Sequence, residues 1–367
     1  MIYLVTCQNK LFEDSSYKVI TVLDSLNMMK EWKVVQYDSE TNGRDPHINK
    51  ILCVQFGNDA ADARIVVDTS TVDLKLYKDI LESKTVIGQN LKFDLAFLYN
   101  YHIIPRKIYD TMIVEQLLHL GYPSGNVSYS LKAIADRRLG VYIDKTVRGE
   151  IIWRGLDTNV ILYSASDVTY LERIVKSQLE DLRKQGLLKA AKLECDFVPV
   201  ITYLEWCGIK LSETRWKTKM DKDLQNLKNS EEALKNFVIE TPSLKQFTYV
   251  NYQGSLFDGY DLTPKVTINW SSSAQVVKVA KILGFNTTVT DKKTGETKDS
   301  VLEKHLAMQK GINDKFIELY LNYQGNAKVV SSFGQGHLNA INPNTRRLHT
   351  NYKQLGASSG KQNSYNV

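Results

Sequence analysis

Cysteine is scarce in this sequence of 367 residues: Cys7, Cys53, Cys195 and Cys207 are the four, and no two form a CxxC pair. That spacing excludes a disulfide framework and a cysteine-based zinc site, and it suits a reduced compartment. The six histidines show no metal-ligand spacing either. Long apolar runs are also missing. A run such as ILCVQF at 51–56 is far shorter than the ~20 residues that cross a bilayer, so no membrane partner is expected. The opening MIYLVTCQNKLFED has no basic start followed by a long apolar stretch, so no secretory signal is expected.

What is present is ordinary for a soluble globular protein, with 43% hydrophobic and 24% charged residues. The length allows two or more domains and a substantial core. The formal net charge of +6 is unevenly spread. Residues 31–185 are almost neutral, whereas 186–367 carry a clear basic excess. From Gly336 onward Arg346, Arg347, Lys353 and Lys361 are accompanied by no acid. A basic half beside a neutral one suits a surface that binds a polyanion, and a lysine-rich solvated surface explains it equally well.

The patterning divides the chain. Residues 1–30 form a short mixed extension without clear periodicity. Over 31–185 strands (WKVVQYD, ILCVQFG, RIVVD, TVIGQ) give way to helices beginning near Leu74, Lys92, Thr111, Ser130 and Asn159. This predicts an α/β fold, a mixed sheet flanked by helices. From 186 to 335 the pattern is mainly helical. One helix ends at Gly208 and is interrupted or kinked at Pro199. Another opens at Ser212, with Trp216, Met220, Leu224, Leu227, Leu234 and Phe237 on one stripe. Residues 241–268 read as a loop or hairpin insertion, and two further helices cover about 273–283 and 312–331. The segment 336–367 ends in a polar tail.

Three stretches carry chemistry. In YDSET, Asp38 and Glu40 stand two apart on a strand and so share a face. In GQNLKFD a strand yields to a helix that carries Asp94. In YSASD, Tyr163 and Asp167 are four apart, on one helix face. Crowded carboxylates need a positive partner, and oxygen-only donors select hard cations. Two Mg²⁺ (or Mn²⁺) ions about 4 Å apart would clamp the attacking water and the leaving oxygen of a phosphodiester. Tyr163 would orient that water.

In this order, YDSET, GQNLKFD and YSASD resemble the three motifs of the DEDD exonuclease superfamily, and the tyrosine at 163 marks its DEDDy branch. The resemblance implies a ribonuclease H-like 3′-5′ exonuclease domain over 31–185. Asp38, Glu40, Asp94 and Asp167 would be the ligands of two divalent metal ions, and Tyr163 would hold the nucleophilic water. Thr41, Asn90 and Phe93 would line the pocket for the 3′-terminal nucleotide. YDTM at 109–112 and YSLKAIADRRLG at 129–140 are similar to connecting segments of this domain in family A DNA polymerases.

The second half resembles the same polymerases. INWSSSAQVVKVAKILGF and TDKKTGETKDSVLEKH look like their thumb segments, and RRLHTNYKQLGASSGKQNS looks like the first palm strands. Lys361 replaces the family's arginine there, and Gln362 and Asn363 replace Leu-Ser, which departs from the usual primer and template contacts. Arg346 and Arg347 are the nucleic-acid contacts expected in this segment. The D-Y-S-x-I-E-L-R motif and the fingers helix of the family do not occur, so 336–367 reads as the truncated start of a palm. The leading expectation is thus the proofreading 3′-5′ exonuclease portion of a family A DNA polymerase, with 186–335 as a thumb-like region. Its substrate would be DNA with a single-stranded or frayed 3′ end on a primer-template. A palm–fingers polypeptide would be a separate partner, and the compartment would be the cytoplasm of a bacterium or phage-infected cell, an organelle being open. Two alternatives stand beside it: a DNA-holding subunit of a split polymerase, and a stand-alone exonuclease acting on RNA or repair intermediates.

Overall fold

The computed structural model describes residues 1–8, 14–121, 127–144, 151–250, 264–290, 295–356 and 363–365. Two compact units result: Met1–Lys210 together with Asn342–Val367, and Leu211–Ile341.

The first unit is built on a seven-stranded mixed sheet. Its strands are β1 (Ile2–Val5), β2 (Lys18–Ile20), β3 (Val34–Thr41), β4 (Ile51–Asn58), β5 (Ala63–Asp68), β6 (Thr85–Gly88) and β7 (Lys107–Asp110), in the order β2-β1-β5-β4-β3-β6-β7. β4 runs antiparallel to both neighbours, while β3–β6, β6–β7, β1–β5 and β1–β2 are parallel. The helices are α1 (Val22–Lys30), α2 (Lys78–Ser83), α3 (Leu91–Leu98), α4 (Thr111–Leu118), α5 (Leu131–Leu139), α6 (Ile151–Arg154), α7 (Thr158–Asp167), α8 (Leu171–Lys184) and α9 (Leu188–Cys207). This is the helix-flanked mixed sheet that the sequence predicts.

Strand alternation distributes the core between two faces. Val54, Phe56, Ile65 and Val67 point to one side, where Leu91, Leu95, Phe97 and Val198 bury against them. Cys53 and Val66 point to the other, onto Ile161 and Ala165 of α7. Beside them Ile134, Leu171 and Ile174 pack α5 and α8 under Ile87.

Residues 1–30 are no loose extension. β1 adds in parallel to β5 and carries β2 on its outer edge. α1 starts with a capping box between Thr21 and Asp24. Strands of four and three residues are too short to show alternation, which is why the pattern was silent there. The chain also divides later than residue 186. α9 is one unbroken helix with Pro199 inside it, and it buries Ala191, Cys195 and Val198 in the first core. It stops at Gly208 (φ +61°), where a Cβ would come within 2.6 Å of the Leu348 carbonyl oxygen.

The segment after Asn342 fastens to this unit rather than standing apart. Ile209 and Leu348 form an antiparallel bridge. Asn342 donates to Asp45 (2.8 Å), and Lys92 to Glu205 (2.6 Å) and the Tyr352 carbonyl (2.7 Å). β12 (Asn351–Lys353) pairs with β13 (Asn363–Tyr365).

In the second unit, α10 (Glu213–Glu240) packs against α13 (Asp314–Ser332). With α11 (Ser273–Ile282) and α12 (Glu303–Leu306) they surround Leu234, Phe237, Val276, Phe316 and Tyr320. The expected stripe on α10 is buried at Leu234 and Phe237, whereas Leu224 is exposed. Trp270 lies in this core. Of the 241–268 segment, β8 (Thr248–Tyr249) and β9 (Lys265–Val266) pair antiparallel, and 251–263 lie outside the described residues. After α11, β10 (Thr288–Thr290) and β11 (Thr297–Asp299) pair antiparallel, with 291–294 of the charged stretch outside the described residues, and α14 (Gln335–Asn339) follows α13.

A buried ion network ties three helices of the first unit. Glu115 of α4 is fully buried and accepts from Arg137 (3.0 Å), Arg138 and Gln178 (2.9 Å), and Arg138 also reaches Asp181 (3.1 Å). Removing one member of such a network strands the other charges. Glu115→Ala is expected to lower unfolding free energy by ~3–5 kcal/mol in urea titration, and a loss below ~1 kcal/mol would show the network to be dispensable.

Candidate functional site

β3 presents its residues alternately. Gln36, Asp38 and Glu40 share one face, and Gln36 is anchored there by donating to Asp59 (2.9 Å) and to Glu172 at the start of α8 (3.1 Å). Tyr37 and Ser39 take the other. β3 pairs with β6 only as far as Gln36, while its pairing to β4 continues to Thr41, with an irregularity between Glu40 and Thr41. The strand end is therefore open on the β6 side.

α7 covers the face that bears Asp38 and Glu40. Its N-cap Asp157 accepts from the Val160 amide (2.8 Å), and Ile161 and Ala165 seat it on the sheet. Its last residue, Asp167, is thereby carried to the open strand end. Carboxylate oxygens of Asp38, Glu40 and Asp167 lie within 4.8 Å of one another. Tyr163 sits one turn earlier on the same helix face, buried beside Val160, Leu52 and Leu156.

Asp94 is placed differently. It is buried in the first turn of α3 and accepts from the Ser39 hydroxyl (2.6 Å), so it meets β3 on the Ser39 side and stands outside the compact trio. Burial pushes its carboxyl up to about 8. The Ser39 hydrogen bond opposes that shift, and the charges of Asp110 and Glu40 add to it. Of the four acids expected in one group, three gather within that distance, and Asp94 stands near them on the Ser39 hydroxyl.

Of the residues expected at the terminal nucleotide, Asn90 caps α3 in the left-handed conformation (φ +61°). Phe93 is half-buried with its ring 5.1 Å from that of Phe97. The Thr41 hydroxyl donates to the Gly43 carbonyl (2.6 Å). Asn90 and Phe93 line a cleft of about 910 Å³ with Arg44, His47, Met112 and Trp206, alongside residues 349–356. Arg346 and Arg347 do not line it. Arg347 donates to the Gly208 carbonyl (3.3 Å) and so helps fasten the segment, and Arg346 is exposed. Sequence reasoning missed Ser39, whose only signal was its position between Asp38 and Glu40. It also passed over Asp110, quoted only as part of YDTM.

The donor set fits a hard divalent cation. Mg²⁺ takes oxygen ligands at ~2.0–2.1 Å, so ligand oxygens about 3–4 Å apart can share one ion. The Asp38, Glu40 and Asp167 oxygens are within reach of that spacing. A buried Asp94 that resists ionising gains from a nearby cation.

An acid cluster at the end of a mixed sheet, flanked by a tyrosine, could hold the divalent ions that phosphodiester hydrolysis uses. Residues 15–183 match the family described as 3′-5′ exonuclease. The match begins ahead of residue 31, in keeping with strands contributed from 1–30. DNA polymerase I of Aquifex aeolicus is 25% identical over 87% of this chain and 54% of its own length. DNA polymerase I of Borreliella burgdorferi is 24% identical over 96% of this chain and 37% of its own. The chain therefore spans about half, or less, of the length of these relatives. A solved structure of the POL domain of Pol1 from M. smegmatis, in complex with DNA primer-template and dNTP, superposes with a TM-score of 0.68 at 15% identity. It covers 98% of this chain and 54% of that one, and it supports the fold.

A metal titration tests the cluster. With Mg²⁺ at about a hundred times its dissociation constant, binding stabilises the folded state by ~2.7 kcal/mol, seen as a rise in melting temperature. Asp38→Asn combined with Glu40→Gln is expected to abolish that rise. It is also expected to raise the metal-free melting temperature, because two crowded charges are gone. An undiminished Mg²⁺ response in the double variant would place the ion elsewhere.

Proposed function

We propose that this chain is the proofreading exonuclease part of a family A DNA polymerase, removing nucleotides from an unpaired 3′ end with two divalent ions. The observation that carries this reading is the gathering of Asp38, Glu40 and Asp167 opposite Asp94 within a 3′-5′ exonuclease domain. Asp38, Glu40 and Asp167 would hold one ion, and Asp38 with Asp94 would share the second. When bound, the ions would lower the pKa of water and offset charge on the scissile phosphate. The protein's own part is placement. Tyr163 would direct the attacking water through its hydroxyl, since geometry outweighs basicity once that water is acidic.

Asn90 and Phe93 would receive the terminal nucleotide, and the adjoining cleft would take the unpaired strand behind it. Phe93 and Trp206 in its lining offer rings on which unpaired bases could stack. The second unit, whose fold resembles part of a polymerase solved with primer-template DNA, would hold duplex. The curated DNA polymerase I relatives extend well beyond the aligned part in a single chain, so a separate palm–fingers polypeptide has no relative in its support. A ribonuclease D of Haemophilus influenzae is 25% identical over 54% of this chain, which makes RNA the comparison substrate.

Purified protein is expected to release nucleoside 5′-monophosphates from single-stranded or mismatched DNA 3′ ends, only with Mg²⁺ or Mn²⁺. Asp38→Ala with Glu40→Ala should reduce this to background while circular dichroism is unchanged. Full activity in that variant would overturn the assignment, and a strong preference for RNA 3′ ends would replace proofreading with RNA trimming. Tyr163→Phe should lower kcat about 10²-fold, the cost of a reacting group misplaced by about 1 Å, and leave KM for DNA nearly constant. A rise in KM alone would give Tyr163 a binding role.

A further inference from the structure

Asp110 is fully buried, and its carboxylate accepts hydrogen bonds from four backbone amides. Two belong to its own helix, those of Met112 (2.9 Å) and Ile113 (3.3 Å), as an N-cap residue ordinarily provides. The other two, those of Asn90 (3.0 Å) and Leu91 (2.7 Å), open α3, a different helix. One anion thus sits at the positive ends of both α3 and α4. An ordinary cap such as Ser130 serves only its own helix, accepting from Ala133 at 3.3 Å.

The turn held this way has little freedom left. At Gly88 a Cβ would come within 2.3 Å of the Leu91 side chain and 2.9 Å of the Tyr37 carbonyl, so β6 passes directly against β3 beside Asp38. Thr111 donates to the Gly88 carbonyl (3.0 Å) from the residue after Asp110. Asn90 is then bent into the left-handed region, with its amide on Asp110 Oδ1 and the next amide on Oδ2. Phe93 and Asp94 follow within one turn of helix, so the direction in which α3 leaves this turn decides where both side chains stand.

We propose that Asp110 is a positioning residue for the metal site. By clamping the starts of α3 and α4 with one carboxylate, it sets Asp94 and Asn90 against Asp38, Glu40 and Asp167. Groups behind a metal ligand, when altered, commonly change metal affinity or activity by about 10–100-fold. This inference deepens the nuclease reading and rests on it for the identity of the site.

The test uses the full 367-residue chain. Asp110→Asn keeps an oxygen for the α4 amides and turns an NH₂ group toward the Leu91 amide, so it separates the clamp from the ordinary cap. Ser130→Ala is the control, a lost cap remote from the proposed machinery. In Asp110→Asn, Mn²⁺ binding measured without substrate is expected to weaken about tenfold or more. Hydrogen exchange at the Leu91 amide should quicken while that of Met112 stays slow. At a temperature well below melting, kcat on a single-stranded 3′ end should fall by a similar factor. Ser130→Ala should lower the melting temperature and leave Mn²⁺ binding and kcat as in wild type. If Asp110→Asn behaves like Ser130→Ala, Asp110 is a plain cap and the proposal fails. If wild-type protein binds Mn²⁺ yet cleaves no DNA or RNA, the nuclease reading fails, while Mn²⁺ binding and exchange still decide whether Asp110 positions the cluster. Should Asp110→Asn not fold, Asp110→Ser, which also caps α4, carries the same measurements.

Discussion

Crowded negative charge is the constraint on which the first unit turns. Three carboxylates with oxygens within 4.8 Å repel one another by roughly 3 kcal/mol per pair at an effective dielectric of about 20, less where water reaches Asp38 and Glu40. The protein keeps them together because each is held by something that does not depend on the charge itself. Asp38 and Glu40 are on a strand paired from Gln36 to Thr41 with β4, and Gln36 pins that strand to the start of α8. Asp167 is at the end of a helix seated by Ile161 and Ala165 on the sheet. Core burial and backbone hydrogen bonds thus offset a local repulsion that a bound cation would reverse.

The fourth acid shows the same logic from the opposite face of the strand. Asp94 comes in on α3, is desolvated, and finds one neutral donor in Ser39. A single hydroxyl does not make up for the lost water, which leaves the carboxyl reluctant to ionise and receptive to positive charge. The acids near β3 are therefore unequally solvated: Asp38 and Glu40 are half-exposed, and Asp94, brought in by α3, is buried.

Folding of residues 342–356 onto the exonuclease unit gives the cleft beside α3 one of its walls. Lys92, next to Phe93, is tied through Glu205 and the Tyr352 carbonyl to that wall. Arg346 and Arg347, expected as nucleic-acid contacts, do not line the cleft, and Arg347 spends a donor on the Gly208 carbonyl. Charge alone does not tell a binding residue from one that fastens the chain.

Local spacing was enough to determine four strands and most helix starts over 31–185, though not β7 or the separate start of α8, as well as the pairing of Asp38 with Glu40 on one face and that of Tyr163 with Asp167 on another. Periods of two and 3.6 residues are local properties, legible without knowing what lies across the sheet. The four-residue and three-residue strands β1 and β2, the seating of α9 in the first core, and the attachment of 342–356 were not legible. Each exists because of distant partners, such as Val67 for β1 or Ile209 for Leu348. Tertiary structure alone also decided that Asp94 faces Ser39, and that Asp110 caps two helices at once. Those contacts join residues 55 and 19 positions apart, and no periodicity of either segment records them.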